Sequence, residues 1–219
     1  WTTTSTSGVL SLFKLSSFIL FYLIIKKSKR MNDWLYAKIY FFLLTLFINF
    51  KNIYFRKLNF GEIIIIEKIL ILDFGSQYTQ IIARKIRSCK VFAEIHPFNI
   101  ALSKIKEINP SAIILSGSPS SVLQKNAPMP VREIFELDVP ILGICYGMQL
   151  LAHFLSGKVD NAAKREYGQA TLKILDDSDL FLGLNAATSV WMSHGDALKK
   201  IPEDFEVIAK TANSPIAAI

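Results

Sequence analysis

From Glu62 onward, short continuous apolar runs alternate with stretches whose apolar residues recur at helical spacing. That alternation predicts an α/β fold with a mostly parallel open sheet flanked by helices. Residues 63–72 are almost all apolar, as expected of a strand buried on both faces. Asp73-Phe74-Gly75-Ser76 then breaks the run, and residues 77–87 read as a helix with Ile81, Ile82 and Ile86 inward. Residues 91–95 follow as a strand, 103–108 as a short helix stopped before Pro110, and 112–115 as a third strand opening into Ser116-Gly117-Ser118-Pro119-Ser120-Ser121. Residues 131–137 are helical in pattern, 139–144 form a fourth strand, and 148–155 a helix directly after Gly143-Ile144-Cys145-Tyr146-Gly147. From Lys158 the chain is richer in turns, with candidate strands over 169–175, 189–192 and 205–210 that make a smaller β region.

The first 61 residues have a different character. Residues 9–25 and 34–50 are apolar stretches near the short end of what spans a bilayer, separated by the basic run Lys26-Lys27-Ser28-Lys29-Arg30. A pair of membrane helices with a cytoplasmic basic loop is one reading. A signal sequence is a poorer one, because no basic region precedes the first stretch and no small-residue cleavage site follows it. The favoured reading is translated AT-rich non-coding sequence: the chain starts at Trp1, its first methionine is Met31, and 15 of its 26 aromatic residues fall here among Ile, Leu, Lys and Asn. The expected division is therefore an apolar, basic leader over 1–61 and an incomplete domain over 62–219.

Charge supports that division. Residues 1–61 hold nine of the 25 basic residues and, in Asp33, one of the 18 acids, so the net +7 is made by the leader alone, while the remainder is near neutral. A near-neutral domain argues against nucleic acid as a partner. Two cysteines, in no metal-ligand spacing, fit a reducing compartment such as the cytoplasm and give no disulfide framework.

A nucleophile between a buried strand and a helix, with glycines at the flanking second positions, makes a tight turn that pushes its side chain outward. Cys145 holds that place. The helix N-terminus beyond it is expected to lower its thiol pKa, and the Tyr146 N–H to donate to an oxyanion. A second donor should come from the Gly117-Ser118 turn, at the same carboxyl edge of the sheet. Cys89 has no such setting and reads as a small buried hydrophobe.

A thiolate attacking an amide also needs an imidazole to carry the proton to the leaving amine. His96 precedes Pro97 at a strand end and reads as a loop or surface residue. His153 lies about two turns beyond Cys145, too far to reach the sulfur, and reads as packing. His194, in Ser193-His194-Gly195-Asp196, lies in a turn that could line a site. Spacing alone does not make it the base.

Four stretches carry a family resemblance: Leu70 to Gln80, Ile114-Leu115-Ser116-Gly117, Gly143 to Gln149, and Val190-Trp191-Met192-Ser193-His194-Gly195-Asp196. In this order they resemble the opening strand, oxyanion loop, nucleophile elbow and glutamine-site turn of the class I glutamine amidotransferases, and most narrowly those of the GMP synthase branch. The resemblance implies a flavodoxin-like sheet and attack of Cys145 on the glutamine side-chain amide, giving a glutamyl thioester and ammonia. It implies an oxyanion hole at Ser118 and Tyr146, and glutamine binding by Gly117, Gln149, Ser193, His194, Gly195 and Asp196, the turn acting mainly through its backbone. From the residues alone, Gln149 would read as a solvated helix position. The resemblance further implies delivery of ammonia to an ATP- and magnesium-dependent synthetase domain, in the same or a partner chain, that aminates adenylylated XMP to GMP, and a homodimer for the full-length protein. No cofactor and no metal is implied for the domain itself.

Two departures stand out. Ser118 stands where the family usually has a second glycine, which puts the oxyanion geometry in question. The family's His-Pro-Glu motif, with the triad histidine and glutamate, would follow the last residues Ala217-Ala218-Ile219, so the chain is expected to be a fragment with little glutaminase activity alone. Three other readings remain: an amidotransferase of CTP or anthranilate synthesis, a non-catalytic membrane-attached scaffold, and a cysteine peptidase on a similar sheet.

Overall fold

The computed structural model describes residues 23–26, 68–177 and 180–219. The leader reading and the first part of the 63–72 run therefore lie outside the described residues, apart from Leu23–Lys26, a short strand (β1). The first sheet has the order β1-β5-β4-β2-β3, built from β2 (Lys68–Asp73), β3 (Phe92–Pro97), β4 (Ala112–Leu115) and β5 (Ile141–Ile144). These four pair in parallel, and β1 lies antiparallel on the edge of β5. Leu70, Ile71, Leu72, Ile113 and Leu115 are completely buried, which is why the central strands read as unbroken apolar runs rather than alternating ones.

Helices α1 (Thr79–Ser88), α2 (Leu102–Ile108) and α3 (Tyr146–Phe154) connect or follow these strands. Because α1 starts at Thr79, its buried face is Thr79, Ala83 and Ile86, spaced by four and three residues. Ile82 is only partly buried and Ile81 is exposed, contrary to the sequence reading. Residues Arg132–Glu136 wind as a 3-10 helix. Strand β2 has β3 on one side and β4 on the other. The chain thus reverses direction across the sheet beside β2, and the loops after β2 and β4 part at their carboxyl ends, the crevice where open α/β sheets bind ligands.

The second sheet is antiparallel, in the order β7-β6-β8, with β6 (Lys158–Ile174), β7 (Ala187–Lys200) and β8 (Ala209–Lys210). Its first strand is far longer than the sequence suggested, and its last far shorter. Lys, Asp, Asn and Glu are interspersed through 158–174, which hides the alternation expected of a half-buried strand. One register irregularity falls between Asn161 and Glu166: Asn161 pairs with Asp196 and Glu166 with His194, so four residues of β6 bulge opposite Gly195. Among the described residues no helix is long and apolar enough to cross a membrane.

Candidate active site

Three carboxyl-end loops of the first sheet and one strand of the second converge on a cavity of about 350 Å³. The turn after β2 contributes Gly75, Ser76, Gln77 and Tyr78; the loop after β4 contributes Gly117, Ser118 and Pro119; the elbow contributes Ile144 and Cys145; β7 contributes Ser193. The first two loops are tied together, since the Phe74 N–H donates to Ser116 Oγ (3.0 Å), which in turn donates to the Gly117 carbonyl (3.0 Å). Asp73 stiffens its own turn by accepting from the Gly75 N–H (3.0 Å) and the Thr79 hydroxyl (2.7 Å).

The geometry of the elbow explains its glycines. Cys145 has φ 54° and ψ −107°, a region that side chains rarely occupy. The turn survives because the backbone before and after it packs almost without clearance. A Cβ on Gly143 would lie 2.6 Å from the Gly147 carbonyl carbon and oxygen and the Met148 nitrogen. A Cβ on Gly147 would overlap the Leu115 carbonyl oxygen on β4. Both glycines are there because β5, α3 and β4 meet at this corner.

Cys145 lines the cavity but is otherwise buried, at 8% exposure. Its thiol donates to the Ser193 carbonyl at 3.6 Å. Burial pushes the thiol pKa up to about 11; the Tyr146 N–H beside the sulfur opposes the rise, and the Asp196 charge adds to it. The expected lowering by the helix N-terminus is therefore overturned: one N–H favours the thiolate, but loss of water outweighs it. No histidine lines the cavity.

Ser118 borders the cavity and accepts the Ser120 N–H on its Oγ at 3.1 Å. It is not among the described residues with positive φ. The backbone here makes no demand that only glycine could meet. The Tyr146 N–H faces the sulfur, and the Tyr146 hydroxyl donates to the Pro128 carbonyl at 2.9 Å, which pins the start of α3.

Gln149, His194, Gly195 and Asp196 stand one layer back from the cavity lining. Gln149 is buried at 3% exposure, not solvated, and its amide donates to the Asp196 carbonyl at 3.4 Å. His194 lies within β7, paired with β6, and not in the turn expected from the sequence; its imidazole faces inward between the Asp196 carbonyl (3.0 Å) and the Glu166 carboxylate (3.2 Å). Thr211 donates its hydroxyl to the same carboxylate at 2.8 Å. His96 lies on β3 beside Glu94 (3.1 Å). His153 is exposed, contrary to the packing role read for it: α3 is buried from Tyr146 through Ala152, and His153 is its first residue to reach solvent. Cys89 is buried, which raises its thiol pKa, in keeping with a small core residue.

Sequence reasoning did not place Ser76, Gln77, Tyr78 or Pro119 at the site. The signal was available, because the turn after β2 must open at the same sheet edge as the elbow. Glu166 carried no such signal.

The family model for Glutamine amidotransferase class-I matches residues 70–219. The chain belongs to the class I glutamine amidotransferases. Within that family it is 54% identical over 154 residues to a GMP synthase [glutamine-hydrolyzing] of Brachyspira hyodysenteriae, covering 70% of this chain and 30% of the relative. It is 57% identical over 155 residues to the same-named protein of Desulfotalea psychrophila, with the same coverage. The amidotransferase match thus spans under a third of the length of these relatives. Among solved structures, a Thermoplasma acidophilum protein assigned as a GMP synthase subunit superposes with TM-score 0.62 at 29% identity, over 69% of this chain and 76% of that one. A glutamine amidotransferase of Thermotoga maritima, at TM-score 0.53 and 19% identity, shares the amidotransferase fold.

Proposed function

We propose that this chain is the glutamine-hydrolysing part of a GMP synthase, in which Cys145 attacks the side-chain amide of glutamine and releases ammonia. The observation that carries this reading is the sulfur itself: it is held at a strained strand-to-helix corner, bordering a cavity, with the Tyr146 N–H beside it and the Gly117-Ser118 loop opposite. Attack of sulfur on the amide carbon turns the carbonyl oxygen into an oxyanion, which N–H donors of the elbow and this loop stabilise. Collapse expels the amine, which leaves as ammonia by taking up the proton that the thiol gave up on attack, and water releases glutamate from the thioester. Ser193 and the stretch of β7 behind it face the amino-acid end of glutamine.

The length of the relatives beyond the match is where the ATP-dependent amination of adenylylated XMP belongs, as a further domain or on a partner chain. ATP and magnesium are assigned to that part, and no step here passes through them. A cytoplasmic homodimer completes the proposal for the whole protein.

Incubated at about pH 9, to raise the thiolate fraction of a buried thiol, the chain should be alkylated at Cys145 by a diazo-ketone analogue of glutamine. Glutamine should block the reaction, and Cys145→Ala should abolish the labelled peptide, read by mass spectrometry. Labelling that is indifferent to glutamine would mean a general electrophile site, as a peptidase would offer, and would overturn the assignment.

A further inference from the structure

Strand β7 alternates cleanly, with Val190, Met192 and His194 buried and Trp191 and Ser193 exposed on the other face. The inward row should therefore be apolar, yet at its end His194 faces Glu166, its register partner on β6. Both are buried, with side chains 2% and 5% exposed. An ionisable pair in that place costs desolvation unless every lone pair and proton is used.

Here they are. The Asp196 carbonyl only accepts, so His194 Nδ1 carries a hydrogen and donates it (3.0 Å). His194 Nε2 lies 3.2 Å from Glu166 Oε2. Thr211 receives the Ser214 N–H on its hydroxyl oxygen (2.9 Å), which leaves the hydroxyl hydrogen to reach the Glu166 oxygens at 2.8 and 2.9 Å. The Asp196 carbonyl also accepts from Gln149 on α3. One hydrogen-bonded chain thus runs from the segment after β8, through Glu166 and His194, to the elbow helix. The residue before His194 is Ser193, whose carbonyl takes the Cys145 thiol.

We propose that Glu166 and His194 are positioning residues of the Cys145 site: their buried pair fixes the 193–196 stretch of β7 from behind, holding the Ser193 carbonyl against the sulfur. The bulge before Glu166 serves this arrangement, because it brings the carboxylate back to the inward row opposite His194. The meaning of the pair for glutamine rests on the glutaminase reading; its hold on the sulfur does not.

The test compares iodoacetamide alkylation of the two cysteines at about pH 9, by mass spectrometry of the Cys145 and Cys89 peptides in one sample. Cys89 is also buried, at the C-terminal end of α1, so it reports general loosening. In Glu166→Gln, Cys145 should react at least about fivefold faster than in the parent while Cys89 stays unchanged, because the stretch of β7 that covers the sulfur is released but the core is not. His194→Asn, which retains a donor for the Asp196 carbonyl, should give a smaller rise than His194→Ala. The glutamine concentration that half-protects Cys145 should increase about tenfold in Glu166→Gln, with full protection still reached at saturation, a loss of affinity rather than of reactivity. An unchanged Cys145 rate in Glu166→Gln overturns the proposal. If that variant does not fold, both cysteines accelerate together, and Thr211→Val decides: Cys145 alone faster supports the pair, equal rates refute it. Absence of glutamine protection in the parent chain sinks the glutaminase reading, while the ratio of the two cysteine rates still decides the positioning role.

Discussion

Gly147→Ala should lower the stability of the domain by about 3 kcal/mol or more, since overpacking against rigid neighbours costs 1–3 kcal/mol and sometimes beyond. The added methyl would meet Leu115 at its carbonyl oxygen, at its Cβ (2.7 Å) and at its carbonyl carbon (2.8 Å), and two of these three are backbone of a fully buried strand. Neither side has room to yield. Strand β4 is held between β2 and β5, and α3 is pinned by the Tyr146 hydroxyl bond and by the close approach of Gly143. For a domain of this size the loss corresponds to roughly 6–12 °C in Tm, readable by differential scanning calorimetry. Gly117→Ala is the control: its methyl would make only ordinary contacts, 3.5 Å to Ser76 Oγ and 3.8 Å to Cys145 Cβ, so its Tm should shift by under about 3 °C while the cavity loses space beside the sulfur. Equal Tm values for the two variants would mean that the elbow is not the tight corner described.

The second large effect is on the reactivity of Cys145 with pH. With its pKa pushed up to about 11, the thiolate fraction at neutral pH is on the order of one in ten thousand, about a hundredfold less than for a thiol of pKa 9. The alkylation rate of Cys145 by iodoacetamide should therefore climb about tenfold per pH unit from 7 to 10 without levelling, whereas an unhindered thiol levels off above about 9. A plateau below about pH 8.5 would show that the helix N-terminus prevails over burial after all. The same shift bears on stability. The unfolded thiol titrates near 9 and the folded one near 11, so the unfolded state loses its proton first. Stability from this group is complete below about pH 9 and falls away as pH rises through 11, by roughly 3 kcal/mol in all. Comparison with Cys145→Ala, which lacks this loss, isolates it from the lysines and tyrosines that titrate in the same range.

Much of the site was legible because its requirements fall on neighbouring residues. Gly143, Cys145 and Gly147 state a backbone geometry within five positions, and the turn after β2 and the loop after β4 announce themselves by Gly, Ser and Pro after apolar runs. What escaped depends on distance. The thiol pKa was misjudged because the helix terminus is local and readable, whereas burial is set by β7 and by the loops of three strands. Glu166 was invisible because its partner is chosen by cross-strand register on the far side of a bulge, and one residue of slip would turn it to solvent. Gln149 looked like a solvated helix residue because nothing in its neighbourhood tells that β7 covers α3. His153 failed in the opposite direction: its distance from the sulfur suggested a packing role, and only the end of the cover exposes it.

The raised pKa of Cys145 has a consequence for the idle protein. Peroxides attack thiolates, and a sulfur that keeps its hydrogen at neutral pH is slow to enter the sequence from sulfenic to irreversible sulfonic acid. The resting thiol is thus sheltered from oxidants by the same desolvation that makes it sluggish, and becomes vulnerable only in the interval when something draws the hydrogen away.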